Sequence, residues 1–136
     1  MNILIKASIY HLLFLYSMVA FSQERIPASP QIVIKIALGE TVTAGNVILK
    51  FVEVLEDSRC PKDVVCIWEG RAKVKVVISG ESISLKELEL TVGEKNKNIL
   101  VVFNGFTFKA VGLTPYPSSG ITGKPSYTLM VLKEKI

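Results

Sequence analysis

Apolar and polar positions alternate along most of the chain after residue 30, and that two-residue period predicts strands with one buried face. In residues 31–38, Ile32, Ile34, Ile36 and Leu38 share a face. Across 47–54, Val47, Leu49 and Phe51 point one way, and Lys50 the other with Val52 beside it. Ala72, Val74, Val76 and Ile78 alternate with Arg71, Lys73, Lys75 and Val77. Tyr127, Leu129 and Val131 form the last such face. Residues 82–92 are less regular. Ile83 and Leu85 alternate, the phase slips at Lys86-Glu87, and Leu88, Leu90 and Val92 resume it. A slip inside a strand predicts a β-bulge, and the Lys, Glu and Leu content leaves a helix over 85–90 as the rival reading.

Turn chemistry separates these runs. Gly39-Glu40, Ala44-Gly45-Asn46, residues 79–81 and the polar stretch 93–98 are breaks. Asn104-Gly105 between the apolar runs 99–103 and 106–111 is a strong hairpin signal, because both positions tolerate positive φ. Residues 56–65 and the proline-containing stretch 113–126 read as loops. About seven or eight short strands, with turns every 8–12 residues, predict an all-β fold. The expected architecture is an antiparallel β-sandwich, immunoglobulin-like, with a small Greek-key β-barrel as the alternative.

The N-terminus follows a different pattern. Lys6 is the only charge in residues 1–21, residues 7–21 are mostly apolar, and Ala20-Phe21-Ser22 has small residues at its first and third places. This predicts a secretory signal over 1–22, shorter than the ~20 apolar residues of a bilayer span. The absence of cysteine at that cleavage point argues against a lipidated N-terminus. Residues 23–30 (QERIPASP) read as a flexible arm, and 31–136 as a single domain. The expected location is the periplasm or the cell exterior, with no stable membrane span once the signal is removed.

Charge and composition narrow the chemistry. The formal charge is +4, and the cations are spread along strand-like segments without forming a stripe, which argues against a nucleic-acid partner. The single histidine, His11, lies in the signal, so the exported part has no histidine for catalytic triads, zinc sites or pH switching. No cofactor or metal is expected.

The densest cluster of special residues is DSRCPKDVVCIWEG at 57–70. Two cysteines in an exported domain predict a Cys60–Cys66 disulfide, worth about 2–2.5 kcal/mol for so short a loop. In the structural reading Trp68 packs near the bridge, and Asp57 pairs with Arg59 or caps backbone donors of the loop. Five residues between the cysteines depart from the two of a redox dithiol, and two thiols fall short of a four-ligand zinc site. A binding role for the tip Lys62-Asp63-Val64 is the sharper alternative, since exposed loops on rigid scaffolds carry function. Pro115-Tyr116-Pro117 is a second stiff segment, either a loop pinned by a half-buried tyrosine or an aromatic contact. The candidate binding residues are therefore Asp57, Arg59, Lys62, Asp63, Trp68 and Tyr116.

The run DSRCPxxVxCxWxG resembles that of small exported bacterial proteins of uncharacterised function. Gly39-Glu40-Thr41, the strand at 47–54, Leu113-Thr114-Pro115-Tyr116-Pro117 and Tyr127 extend the resemblance over nearly all of the exported part. Glu69 stands where members often carry alanine. The resemblance implies an exported β-rich domain with no activity to carry over. Three functions are open on the residues: a non-catalytic binding or accessory domain with an envelope or extracellular ligand or protein as partner, a secreted protease inhibitor presenting 61–65 with Lys62, and an enzyme using Glu53, Glu56, Asp57 or Glu69, which would need burial to separate their pKa values.

Overall fold

The computed structural model describes residues 2–19, 28, 30–120 and 122–136. One helix, α1 (Ile3–Val19), precedes eight strands: β1 (Ile32–Ala37), β2 (Thr41–Ala44), β3 (Val47–Asp57), β4 (Ala72–Gly80), β5 (Ile83–Thr91), β6 (Ile99–Phe103), β7 (Phe106–Thr114) and β8 (Thr128–Lys135). Helix α1 covers most of the segment read as a signal, and no helix among the described residues is long and apolar enough to cross a membrane. The expected cleavage point at Ala20-Phe21-Ser22 and most of the 23–30 arm lie outside the described residues.

The strands form two four-stranded sheets, ordered β1-β8-β7-β6 and β2-β3-β4-β5, with every pair antiparallel. This is the sandwich that the alternation predicts. The immunoglobulin plan joins its strands by Greek-key connections. Here every connected pair of strands is adjacent within a sheet or meets at the edge where the chain changes sheet, so the path is a meander. The chain changes sheet twice, between β1 and β2 and between β5 and β6, and closes with β8 beside β1.

The core lies between the sheets. Leu49, Phe51, Val74, Val76 and Ile78 from one sheet meet Ile36, Phe108, Ala110, Leu129 and Val131 from the other, all essentially inaccessible to water. These are the faces the two-residue period assigns in β3, β4 and β8. In β1 only part of the expected face is covered: Ile36 is buried and Ile34 half-buried, while Ile32 and Leu38 remain exposed. β1 is an edge strand, and only its middle is covered.

Two irregular strands depart from the simplest reading. β5 is a continuous strand with no helix over 85–90. Its register against β4 changes between Ile78↔Lys86 and Gly80↔Ile83, so the bulge lies at Ser84-Leu85, just ahead of the Lys86-Glu87 step. Leu85 is consequently turned out to solvent. β3 runs three residues beyond the predicted strand end at Val54, through two register shifts, and reaches Asp57. At the β6–β7 hairpin, Asn104 and Gly105 have φ of 50° and 77°, the pair of positive values that a type I′ turn requires.

Candidate functional site

The functional candidates converge on the connection between β3 and β4, an arm of fourteen residues, 58–71, that follows directly on Asp57 at the end of β3. The ladder of these strands continues past its formal end. The Ser58 N–H donates to the Arg71 carbonyl at 2.8 Å, and the Cys60 N–H donates to the Glu69 carbonyl at 2.9 Å. Gly70 makes this narrow root possible. Its φ is +69°, and a Cβ built there would sit 1.8 Å from the Ser58 carbonyl oxygen. The glycine ending the 57–70 run is thus a requirement of close backbone approach. Near the tip, Cys60 and Cys66 form the expected disulfide, with Cα atoms 5.9 Å apart. The Val64 N–H donates to the Pro61 carbonyl at 3.2 Å, so residues 61–64 are folded into a turn.

One side of the arm is fastened to the loop between β7 and β8. Arg59 reaches Asp57 in a two-pronged pair, Nε to Oδ1 at 2.7 Å and Nη2 to Oδ2 at 2.8 Å. The same guanidinium donates to the Leu113 carbonyl at 2.6 Å and the Pro115 carbonyl at 3.1 Å. Its carbon lies 4.7 Å from the centre of the Tyr116 ring. The Tyr127 hydroxyl completes the cluster by donating to Asp57 Oδ2 at 3.0 Å. Only about a tenth of either charged side chain is exposed (11 % for Arg59, 10 % for Asp57), so the pair acts in a medium where a charged hydrogen bond is strong.

Burial alone would raise the Asp57 pKa. The Arg59 and Tyr127 hydrogen bonds and the positive charge of Arg59 outweigh it and bring the carboxyl below its ordinary value. Tyr127 moves up instead, because burial and the neighbouring Asp57 carboxylate both disfavour the phenolate. A second fastening lies nearer the tip. The Lys62 N–H donates to the Pro117 carbonyl at 3.2 Å, and the Ser119 N–H donates to Asp63 Oδ1 at 3.0 Å. The Ser119 hydroxyl also donates to Asp63, and this bond, followed by the Ser119 N–H, lowers the Asp63 pKa.

Of the six candidate binding residues, four are therefore internal ties. Asp57, Arg59, Asp63 and Tyr116 hold one loop against another, although Tyr116 keeps 44 % of its surface exposed. Lys62 and Trp68 are exposed. The expectation that Trp68 packs near the disulfide is corrected: the indole is 81 % exposed, and its neighbours Ile67 and Val65 are 93 % and 101 % exposed. The side of the arm that packs against the molecule is occupied by the β7–β8 loop, which leaves the indole on the open side. With the partly exposed Val64, these residues make an apolar tip. Sequence reasoning found Trp68, reached Val65 only as the end of the inhibitor loop 61–65, and passed over Ile67. The available signal was VVCIW inside a segment without alternation.

The remaining carboxylates are arranged for surface pairing. Glu56 accepts from the Ser58 hydroxyl at 2.9 Å and pairs with Arg71 and Lys73. The Ser58 bond is the main cause of its lowered pKa, which those cations reinforce against the opposing effect of burial. Glu53 is 4.0 Å from Lys75, and Glu69 is exposed. A shallow cleft of about 640 Å³ separates the arm from the β5–β6 turn, lined by Arg59, Glu69, Arg71, Thr91, Glu94 and Tyr116 among others. Its charged lining carries both signs. Among the described residues no group of three or more His, Cys, Asp or Glu side chains is placed to hold a metal ion. No protein family matches the chain, and no curated protein or solved structure is recognisably similar to it.

Proposed function

We propose that this chain is an exported, non-catalytic binding or accessory domain of the cell envelope, and that the arm 58–71 is its contact element. The observation that carries the reading is the pairing of a fastened inner side with a bare apolar tip. Val65, Ile67 and Trp68 are 101, 93 and 81 % exposed on a segment held by a disulfide, a two-pronged ion pair and two loop-to-loop hydrogen-bond ties. Folding gains little by exposing large apolar groups, and contiguous exposed patches mark interaction sites. Rigidity supports the same function, because an ordered contact element loses little entropy on binding. The signal-like N-terminus, the disulfide and the resemblance to small exported bacterial proteins support a location in the periplasm or outside the cell. Of the four carboxylates open to an enzyme reading, Glu56 and Asp57 are both shifted down, opposite to the direction a general acid requires.

The reading is tested by replacing the tip. Trp68→Ala combined with Ile67→Ser should leave unfolding free energy within about 0.5 kcal/mol of the parent, as exposed positions do. It should also release the protein from the envelope fraction of its host into the soluble exported fraction. Retention of the double variant in the envelope at the parental level would overturn the proposal.

A further inference from the structure

From the shape and charge of the arm we infer that its tip inserts into the interfacial zone of an anionic lipid bilayer. This rests on the reading of the arm as a contact element and names what it contacts. The tip is convex. At 101, 93 and 81 % exposure, Val65, Ile67 and Trp68 are open to solvent on nearly all sides. A flat protein surface would cover only one side of such a projection, whereas a bilayer flows around it. A second copy of the chain fits poorly, because four apolar residues at the tip fall well short of the roughly 20–30 residues per side of a standard interface.

The chemistry of the tip matches the boundary between headgroups and acyl chains. Indole rings concentrate there because they join an apolar body to a polar N–H, and aliphatic side chains beside them bury ~5–10 Å deep. Exposed Glu69 follows Trp68 and limits insertion to the tip. Lys62 is exposed at the same end of the arm, beside the Asp63 carboxylate, which accepts from Ser119 and keeps its negative charge, so the attraction to anionic headgroups comes from the charge of the molecule as a whole. The chain carries a formal charge of +4, one of which leaves with Lys6 if the signal is removed. That sign favours anionic headgroups. The disulfide and the Arg59 cluster keep the apolar side chains outward, so that no refolding precedes insertion.

Trp68 is the only tryptophan in the chain, so its fluorescence reports on the tip alone. The protein is taken as its exporting host releases it, with its mass recorded, and mixed with vesicles of phosphatidylglycerol and phosphatidylethanolamine or of phosphatidylcholine. The expected result is a blue shift of Trp68 emission, larger on the anionic vesicles, with quenching by acyl chains brominated near the headgroup. Ile67→Asp and, separately, Val65→Asp should each weaken partitioning at least about tenfold, the loss expected from one buried aliphatic side chain, with an unchanged circular dichroism spectrum. Emission that stays unshifted with every vesicle composition overturns the lipid assignment. If envelope retention still depends on Trp68 and Ile67 in that case, the contact-element reading survives with a protein partner. If retention is also indifferent to them, both fall.

Discussion

Arg59 ties the end of β3 to a stretch of chain more than fifty positions away, and its value lies in geometry as well as charge. Its planar group grips both Asp57 oxygens and still reaches the carbonyls of Leu113 and Pro115. A lysine has no such fork. Arg59→Ala leaves Asp57 largely covered without its cation and should lower unfolding free energy by about 3 kcal/mol. Arg59→Lys should recover less than half of that loss in urea melts. Asp57 also sets an acid limit. Its folded-state pKa is depressed, so its contribution is complete above the ordinary value of 3.8 and is lost as pH falls through the folded value. Tyr127 acts at the other end. Its folded-state pKa is raised, so its contribution is complete below 10.0 and is lost as pH rises through the folded value. Stability measured against pH should therefore lose part of its acid slope in Asp57→Asn and part of its alkaline slope in Tyr127→Phe. Unchanged slopes in both would refute the cluster as the source.

At the scale of the element, the arm is a strand extension that has been narrowed, bridged and fastened. The disulfide restricts the unfolded chain over a short loop, so Cys60→Ser with Cys66→Ser should cost roughly 2–3 kcal/mol and leave a folded β domain, read by denaturant melts and circular dichroism. Equal stability of parent and double variant would show that the bridge is not a staple. Gly70→Ala attacks the same element from its root. The added methyl meets the Ser58 carbonyl oxygen at 1.8 Å in a backbone region that L residues avoid. The expected cost is about 2–3 kcal/mol, with faster amide exchange at Ser58 and Cys60, whose N–H groups close the root. The two perturbations differ in kind: loss of the bridge acts chiefly on the unfolded chain, and loss of the glycine acts on the native arm.

For the whole molecule, the two sheets supply the scaffold and the arm supplies the contact. The sheets meet through aliphatic and aromatic groups in the middle of the strands, while the arm and the β7–β8 loop come together at one end of the sandwich. Among the described residues, none from helix α1 belongs to the core cluster. If residues 1–22 are a signal, the protein recovered from outside the cytoplasm should begin at or near Gln23 by intact mass. Recovery of the full-length chain from the inner membrane would refute that processing.

Local chemistry determined much of this molecule from the sequence alone. Alternation in β3, β4 and β8 is a property of neighbouring residues, so the buried positions of Leu49, Phe51, Val74, Val76, Leu129 and Val131 were legible without a partner strand. The Asn104-Gly105 hairpin and the Cys60–Cys66 bridge were legible for the same reason, because turn dihedrals and short loops are local matters. The pairing of Asp57 with Arg59 was one of two open alternatives, and the structure selected it. Tertiary packing decided the rest. The Tyr127 hydroxyl lies seventy positions from Asp57 along the chain, and no local pattern specifies that meeting. The bulge that turns Leu85 outward depends on the register of β5 against β4. Trp68, Ile67 and Val65 are apolar by sequence, but their exposure follows only once the β7–β8 loop has taken the arm's other side. Sequence states what a side chain prefers, and the packing of distant segments decides whether that preference is met.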